Sequence, residues 1–587
     1  MLYPLSYVGP VALGDFAELS AWSPGYRERM SRRWVESGGV RLSVREEGPA
    51  DGATVVLVHG YPDNSDVWDG VSAVLAERFH VVRYDVRGCG SSESPVGLDG
   101  YRIPHLVDDL AAVVRATGGE NPVHLVAHDW GSIQSWAAVS DPALSGLFAS
   151  YTSISGPDLD HIGVWMRKRG RQQLRQLVHS WYIGAFQVPV VPELVWRLRP
   201  LRAKFHATYR DARNGIQLYR ANMASRLSRP EPLRTSIPVQ QIALTKDPFV
   251  TPPLLESTDP WCDRLWRREL VAEHWAVRSE PAKVARFITD FVDHLDGGAA
   301  SRELARAKVG ADRGALAGQL AMVTGAGSGI GRATALALGE QGVDVLCVDI
   351  DFASAERTAA DLKKPGLAFQ LDVADSTATQ RLAEHILAEH GVPDLVMANA
   401  GIGISGSFLD TSEDDWRRVI DVNLWGVINT LRAFVPSLVS RGEGGHVVVT
   451  ASAAGYVVLP SLTAYGTTKA AVLMLAQSLS SELARDGIGV SAICPGVVNT
   501  NIAATTRFAG LDAAAERERQ ANAAALYQRR GFGPEKVATE IVAAVLDKRV
   551  VVPVTPEAKI GRLATRFAPG TTRAISRWID SQAARRG

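Results

Sequence analysis

One unit recurs along this chain and constrains its fold more than any other feature: a short apolar run, a glycine-containing turn, then a helical pattern. Apolar runs at 54–58, 123–126, 319–323, 344–348 and 446–449 are each followed by such a turn. Runs of this length fit parallel strands buried on both faces, and their alternation with helices is the βαβ pattern of an α/β architecture. At 587 residues the chain is too long for one core, since domains run to roughly 100–200 residues. Between Gly297 and Gly318 the pattern lapses into small and charged residues with room for a helical turn or two. The expected organisation is therefore a first domain over 1–296, a linker over 297–317, a second domain over 318–555 and a basic tail over 556–587. The two domains share no motifs, so the chain reads as a fusion and not a duplication.

Composition narrows the function classes. A hydrophobic fraction of 46% with 21% charged residues excludes a mainly disordered chain. Lys+Arg and Asp+Glu both number 63, which argues against a dedicated nucleic-acid binder. Cys89, Cys262, Cys347 and Cys494 form no CxxC pair and sit beside no His-rich segment, so neither a disulfide framework nor a zinc site is expected. The N-terminus lacks a charged segment followed by a long apolar run, and no stretch reaches the ~18 apolar residues of a membrane span. A cytoplasmic protein is expected, at most resting on the inner face of a membrane.

In the first domain the most informative segment is Val126-Ala127-His128-Asp129-Trp130-Gly131-Ser132, directly after an apolar run. Its small-x-acid-x-Gly pattern fits a nucleophile elbow, the sharp strand-to-helix turn that lifts one side chain above a sheet. With Asp129 at the apex the nucleophile is a carboxylate, ionised at neutral pH without a base. That suits displacement at an sp3 carbon, as in an epoxide or alkyl halide, through an ester on the enzyme. His59-Gly60-Tyr61-Pro62 follows the 54–58 strand and brings a backbone N–H towards the elbow. Asp247 ends a predicted strand at 239–244, and His274 precedes a predicted helix at 282–295. Nucleophile, acid, His is the chain order of α/β-hydrolases.

Together with Asp85-Val86-Arg87-Gly88-Cys89-Gly90-Ser91-Ser92, these segments resemble the epoxide-hydrolase branch of the α/β-hydrolase fold over residues ~30–296. The resemblance implies Asp129 as nucleophile, His274 as activator of the hydrolytic water, and Asp247 as the carboxylate that orients the imidazole. It also implies an oxyanion hole from the N–H groups of Tyr61 and Trp130, an element often worth a few kcal/mol. The aromatic, helical stretch at about 156–236 suits a cap. Two of its segments, around Tyr182 and Tyr219, resemble those whose tyrosines donate hydrogen bonds to the epoxide oxygen in that family. An epoxide leaves as an alkoxide and requires an acid, whereas a halide does not, so two phenols favour the epoxide.

In the second domain Thr324-Gly325-Ala326-Gly327-Ser328-Gly329-Ile330-Gly331 follows a strand and opens a helix predicted over 332–340. Such a loop lets backbone N–H groups and a helix N-terminus meet a pyrophosphate. Asp349 ends the next strand, near the ~20-residue spacing at which an acid binds the ribose hydroxyls. Asp349 would repel a 2′-phosphate, and neither Ser328 nor Ile350 supplies a cation, so NAD(H) is favoured over NADP(H). Tyr465 and Lys469 form an i, i+4 pair, so the lysine is expected to lower the phenol pKa and hold the ribose.

Ser452, thirteen positions before Tyr465, and Asn423 complete a set that resembles the Asn-Ser-Tyr-Lys tetrad of short-chain dehydrogenases/reductases. Over about 316–550 the chain is similar to that Rossmann-fold family in its glycine loop, Asn399-Ala400-Gly401, Leu371-Asp372-Val373 and Pro495-Gly496-Val497-Val498-Asn499-Thr500. The resemblance implies cofactor contacts at Gly325, Ser328, Gly329, Ile330, Gly331, Asp349, Asp372, Val373, Asn399, Pro495, Gly496, Val498 and Thr500. It implies Tyr465 as general base or acid, Ser452 polarising the substrate oxygen, Lys469 relaying protons through water on Asn423, and Thr500 contacting the carboxamide.

The whole chain resembles two-domain actinobacterial fusions of the EphD type. That implies a bifunctional enzyme acting on lipophilic epoxide and alcohol or ketone substrates, with a homo-oligomer formed through the dehydrogenase. The alternative is an active dehydrogenase whose hydrolase half is non-catalytic, or dehalogenase-like, and serves for binding. From residue 557 on, seven Lys/Arg face two acids, interspersed with Ile560, Leu563, Phe567, Ile575 and Trp578. This tail is read either as an interfacial membrane helix or as a surface helix packing on the protein.

Overall fold

A computed structural model describes residues 31–568, except residue 312, and residue 570. The chain divides into two compact units, Met1–Val309 and Gly310–Gly587.

The first unit is built on one eight-stranded sheet. Its strands are β1 (Ser31–Ser37), β2 (Val40–Glu47), β3 (Thr54–Val58), β4 (His80–Tyr84), β5 (Val123–His128), β6 (Phe148–Ile154), β7 (Val239–Leu244) and β8 (Leu265–Leu270), in the order β1-β2-β4-β3-β5-β6-β7-β8. β2 pairs antiparallel with both β1 and β4, and the other pairings are parallel. Strand β5 is buried along its whole length, whereas β1, rich in Arg and Ser, is mostly exposed at the sheet edge. Helices Asp69–Leu75 and Pro281–Leu295 pack together, as do Ile103–Thr117 and Trp130–Val139. The turns after β3, β5, β7 and β8 therefore open at the carboxyl edge of the sheet, where ligands of open α/β sheets bind. Between β6 and β7 the chain leaves the sheet for a run of helices from Leu159 to Ser228.

The second unit has a seven-stranded parallel sheet. It comprises β9 (Leu320–Thr324), β10 (Asp344–Asp349), β11 (Leu367–Gln370), β12 (Leu395–Ala398), β14 (Gly445–Thr450), β15 (Ile488–Cys494) and β17 (Val551–Pro553), in the order β11-β10-β9-β12-β14-β15-β17. The two-residue strands β13 (Ile404–Ser405) and β16 (Arg507–Phe508) pair apart from it. Strand order reverses between β9 and β12, the switch point of a doubly wound fold, and the glycine loop leaves β9 at that point. The following helix spans Gly329–Glu340 and so begins inside the loop, three residues ahead of the expected start.

The segment expected as a linker is structured in its first half. Helix Arg302–Ala307 places Leu304 in a buried cluster with Trp266 and Phe291, and the Val309 N–H donates to the Leu265 carbonyl at 2.8 Å. Apolar burial thus draws residues up to Val309 into the first unit. In the tail, helix Pro556–Phe567 is capped by Thr555 and buries Ala558; Ile575 and Trp578 lie outside the described residues. Among the described residues no helix is long and apolar enough to cross a membrane.

Candidate functional site

The elbow forms where β5 meets the helix Trp130–Val139. Asp129 has φ 52° and ψ −122°, a strained backbone that holds the carboxylate clear of the sheet. Close approach around it demands small residues. A Cβ on Gly60 would lie 2.4 Å from Asp129 Oδ1. The Tyr61 N–H, carried by the turn after β3, donates to that Oδ1 at 2.6 Å. Trp130 follows at the first turn of the helix.

His274 Nδ1 and Asp247 Oδ2 are 2.8 Å apart, and His274 Nε2 is 3.6 Å from Asp129 Oδ2. All three side chains are buried. Burial works against a charge on His274, but the carboxylates of Asp247 and Asp129 outweigh it and hold the imidazole up to about 10. Asp247 stays below its ordinary range: its burial is overcome by His274 and by N–H bonds from Phe249 and Val250 to Oδ1, at 2.7 and 3.1 Å.

The cap brings Tyr182, on the helix Trp181–Gln187, and Tyr219, on the helix Tyr209–Ser228, over this group. Their ring centroids are 6.0 Å apart, and Tyr219 also meets Trp130 at 4.9 Å. Burial, reinforced by the Asp129 charge, pushes both phenols up, so both keep their protons at neutral pH. Asp129, Trp130, Tyr182 and Tyr219 line one cavity of about 300 Å3 between sheet and cap, whose remaining wall is mostly apolar, including Ile133, Leu159, Met166 and Leu254. The Asp85–Ser92 turn stands aside from this chemistry. Arg87 is locked in a buried ion pair with Asp109, and Asp85 accepts the N–H groups of Ser65 and Ser91.

Three contributors escaped the sequence reading. Gln176 of the cap is buried, accepts from the Thr251 N–H at 3.1 Å and its hydroxyl at 2.7 Å, and donates to the Phe249 carbonyl at 2.7 Å. It ties the cap to the loop that carries Asp247. His128 Nε2 lies 2.8 Å from the His274 carbonyl; burial, with the neighbouring His274 charge, brings its pKa down to about 4. Neutral His128 therefore donates that hydrogen bond and fixes the backbone of His274. The third is the pair of N–H groups on Asp247. A helix period for Gln176 and adjacency for His128 were the available signals, and neither specifies a partner.

In the second unit Gly325, with φ 65°, and Gly331 shape the cradle: a Cβ on Gly331 would sit 2.1 Å from the Gly325 carbonyl. Ser328 is the N-cap of the helix that Gly329, Ile330 and Gly331 begin. Asp349 Oδ2 accepts the Gly327 N–H at 2.8 Å, placing the acid beside the loop. Thr500 lies over Gly329, where a Cβ would come within 3.2 Å of it. Asn399 acts as a brace, with its N–H bonded to Thr324 Oγ1 at 2.9 Å and its Oδ1 accepting from Thr450 Oγ1 at 2.9 Å. Asp372 caps its own turn by accepting the Ala374 N–H, and the Val373 carbonyl accepts from Asn429. The Pro495 carbonyl accepts from the Ala453 N–H, Gly496 donates to Thr555 and Val497 to Glu557, while Val498 is buried in the core.

Asn423 lies in a π-helical turn, Asp421–Trp425, with both side-chain atoms bonded to Ile402; such bulges recur at functional sites. Ser452 and Lys469 are buried, and Tyr465 is half-buried. One expectation is corrected here. Lys469 does not lower the Tyr465 pKa: burial pushes the phenol up to about 12, and the neighbouring Ser452 hydroxyl opposes it. The lysine Nζ instead donates to the Thr450 carbonyl at 2.7 Å and lies 5.8 Å from the tyrosine ring centroid. Burial brings Lys469 down to about 8.

A family model described as alpha/beta hydrolase fold matches residues 53–281, and one described as short chain dehydrogenase matches residues 319–509. The protein named "Probable oxidoreductase EphD" from Mycobacterium tuberculosis (strain ATCC 25618 / H37Rv) is 42% identical over 585 residues, covering 94% of this chain and 99% of its own. Among solved structures, a short chain dehydrogenase/reductase from Burkholderia phymatum in complex with NAD is 31% identical, covers 43% of this chain and 94% of its own, and has a TM-score of 0.39. An epoxide hydrolase from Bacillus megaterium in complex with an inhibitor is 25% identical, covers 44% of this chain and 100% of its own, and also has a TM-score of 0.39. With likeness to EphD running almost from end to end, and a hydrolase unit preceding a dehydrogenase unit in one polypeptide, this chain belongs to the EphD family.

Proposed function

We infer that the chain is a bifunctional enzyme that hydrolyses an epoxide to a vicinal diol and carries out NAD(H)-dependent oxidation or reduction of a secondary alcohol or ketone. The observation that carries the hydrolytic reading is one cavity lined by Asp129 at the elbow and by two protonated phenols of the cap, with His274 3.6 Å from Asp129 Oδ2.

With Oδ1 held by Tyr61, Asp129 Oδ2 attacks the epoxide carbon. The carbon–oxygen bond breaks and the leaving oxygen takes a proton from Tyr182 or Tyr219, giving an alkyl ester and a phenolate. His274 begins protonated and returns a proton to the phenolate. Esterification also removes the Asp129 charge, one of the two that hold the imidazole proton, so the imidazole becomes a base when water must be activated. Water then adds to the ester carbonyl, His274 takes its proton, and the N–H groups of Tyr61 and Trp130 receive the oxyanion. Diol leaves, with Asp129 ionised and His274 protonated as at the start.

In the second unit the glycine cradle, the Gly329–Glu340 helix N-terminus and Asp349 suit a pyrophosphate and a free ribose 2′-hydroxyl, which favours NAD(H) over NADP(H). NAD(H), when bound, supplies or accepts the hydride. Ser452 orients the substrate oxygen. Tyr465 takes the alcohol proton during oxidation and gives it back during reduction. Lys469 and Asn423 hold the proton path behind it.

The two reactions compose, since a vicinal diol carries the secondary alcohol that the second site could oxidise to a hydroxyketone. The apolar cavity favours lipophilic substrates. Ile560, Leu563 and Phe567 are exposed on the tail helix, which supports peripheral membrane contact. The decisive experiment is to incubate the His274→Ala protein with an epoxide and look for an alkyl ester on the peptide containing Asp129. A peptide left at its original mass would remove the hydrolytic half of this reading. An epoxide plus NAD should yield NADH only with Asp129 intact; equal NADH from Asp129→Ala would disprove coupling.

A further inference from the structure

The outer surface of the cap combines two properties with no role in the chemistry above. Over residues 161–210 ten Lys and Arg face a single acid, Glu193, which is itself paired with Arg220 at 2.6 Å. Helix Arg171–His179 turns Gln173 and Gln176 inward and leaves Leu174 and Val178, one turn apart, 65% and 67% exposed. Trp181, at the start of the next helix, is 73% exposed, and the neighbouring segment adds Val190, Leu194 and Leu198. Soluble surfaces seldom gather large apolar side chains this densely without a partner. Arg167, Lys168, Arg169, Arg171, Arg175 and Arg199 are exposed among them. Leu177, on the same helix, is 56% exposed and also lines the cavity. The apolar surface is therefore continuous with the wall of the site.

We propose that this face of the cap docks on an anionic lipid bilayer, inserting Leu174, Val178 and Trp181 among the acyl chains while the surrounding cations meet the headgroups. Apolar insertion and a polybasic rim are the two signals that together hold a protein on a membrane, where one alone gives marginal binding. Charge complementarity selects the partner. A second copy of this face would oppose these six cations with six more. A nucleic acid would satisfy the cations and leave the aliphatic side chains and Trp181 uncovered. The inference rests on the shape and charge of the cap, not on the epoxide reading, although it supplies a route by which a lipophilic substrate reaches Leu177 and the cavity without crossing water.

The test is flotation of the full-length protein with vesicles of phosphatidylcholine alone or mixed with phosphatidylglycerol. Binding is expected to the mixed vesicles and to weaken with added salt. Combining Arg167→Gln, Lys168→Gln and Arg169→Gln should lower the partition coefficient about a hundredfold. Combining Leu174→Ser with Trp181→Ser should lower it about tenfold or more. A tail variant, Ile560→Ser with Phe567→Ser, should still float. Circular dichroism melts identify any variant that has lost its fold, and the salt response of the unaltered protein needs no variant at all. The proposal is overturned if the wild type ignores both vesicles or binds them equally, or if folded cap variants float like wild type. Loss of binding in the tail variant alone also overturns it. So would cap cations that prove necessary for duplex DNA binding, or for a dimer seen by size exclusion, in a protein that ignores vesicles. Because the readout is binding, failure of ester trapping leaves this result standing, and the reverse also holds.

Discussion

The two candidate sites occupy the same place in their units, at the carboxyl edge of a parallel sheet, yet they hold charge in opposite ways. In the first unit Asp129, His274 and Asp247 stand in direct contact, and the imidazole is driven up to about 10 because two carboxylates outweigh its burial. In the second unit no carboxylate among the described residues holds the charge of the lysine. Burial brings Lys469 down to about 8, and burial, helped by Tyr527 and opposed by Ser452, pushes Tyr465 up to about 12. One site stores ions by pairing them, and the other weakens them by desolvation. The difference suits the two chemistries: a carboxylate nucleophile must remain charged, whereas a proton-transferring phenol works best when its charged form is accessible but not dominant.

The strongest way to break this comparison is to remove one chemistry and watch the other. Asp129→Asn should reduce diol formation by about 10^4-fold or more, the scale of losing a nucleophile, and leave NADH formation from a preformed diol unchanged. Tyr465→Phe should reduce that NADH formation by about 10^2- to 10^4-fold and leave epoxide hydrolysis unchanged. Loss of both activities from either change, measured on the intact chain, would mean that the sites are not chemically separate.

The next test asks whether the two phenols serve the leaving group. Tyr182→Phe or Tyr219→Phe alone should slow epoxide opening about tenfold, because the other phenol remains, and the double change should approach the 10^2- to 10^4-fold effect of a missing general acid. A short-chain alkyl halide offered to the same variants provides the contrast. If wild type turns over the halide faster than the epoxide and the double variant keeps that rate, the cap is a dehalogenase cap.

Much of this layout was legible in the sequence because turns and charges force residue types. A strand-to-helix elbow needs small neighbours, so Ala127 and Gly131 marked Asp129, and Asp129, Asp247 and His274 stand in the chain order of α/β-hydrolases. Legibility stopped where an outcome depended on three-dimensional partners. The i, i+4 spacing placed Lys469 on the face of Tyr465, but not the Thr450 carbonyl that takes its ammonium. Small and charged residues around 301–309 read as a linker, because the surface that buries Leu304 comes from Trp266 and Phe291, remote in sequence. Gln176 looked like any polar residue of an amphipathic helix.

The charge contrast also predicts opposite pH responses. His274 has a folded pKa of about 10, above its unfolded value of about 6.5. Its contribution is fully present below pH ~6.5 and is lost as pH rises through about 10. Lys469 has a folded pKa of about 8, below its unfolded value of about 10.4. Burying it costs stability below pH ~8, and that cost is relieved as pH rises towards ~10.4. Thermal melts of wild type against His274→Gln should therefore show an advantage for wild type that shrinks between pH 7 and 10. Against Lys469→Met, the wild-type deficit should shrink between pH 8 and 10. Slopes of the same sign in both comparisons would refute the contrast.

The smallest expected effect belongs to Gln176, and it sharpens the comparison by asking whether the paired charges depend on the cap. Gln176→Leu keeps the bulk of the side chain but removes the acceptor for the Thr251 N–H and hydroxyl and the donor to the Phe249 carbonyl. Leaving those groups unsatisfied should cost about 1–3 kcal/mol of stability in the first unit. The bonds also hold the loop whose Phe249 and Val250 N–H groups fix Asp247, so loosening it should let the imidazole lose its proton more easily. The alkaline limb of epoxide turnover should then shift to lower pH, with a modest fall in kcat, while dehydrogenase kinetics stay as they were. A fall in stability with an unmoved pH profile would make Gln176 a packing residue only, and would show that the Asp247–His274 pair is held by the sheet without help from its lid.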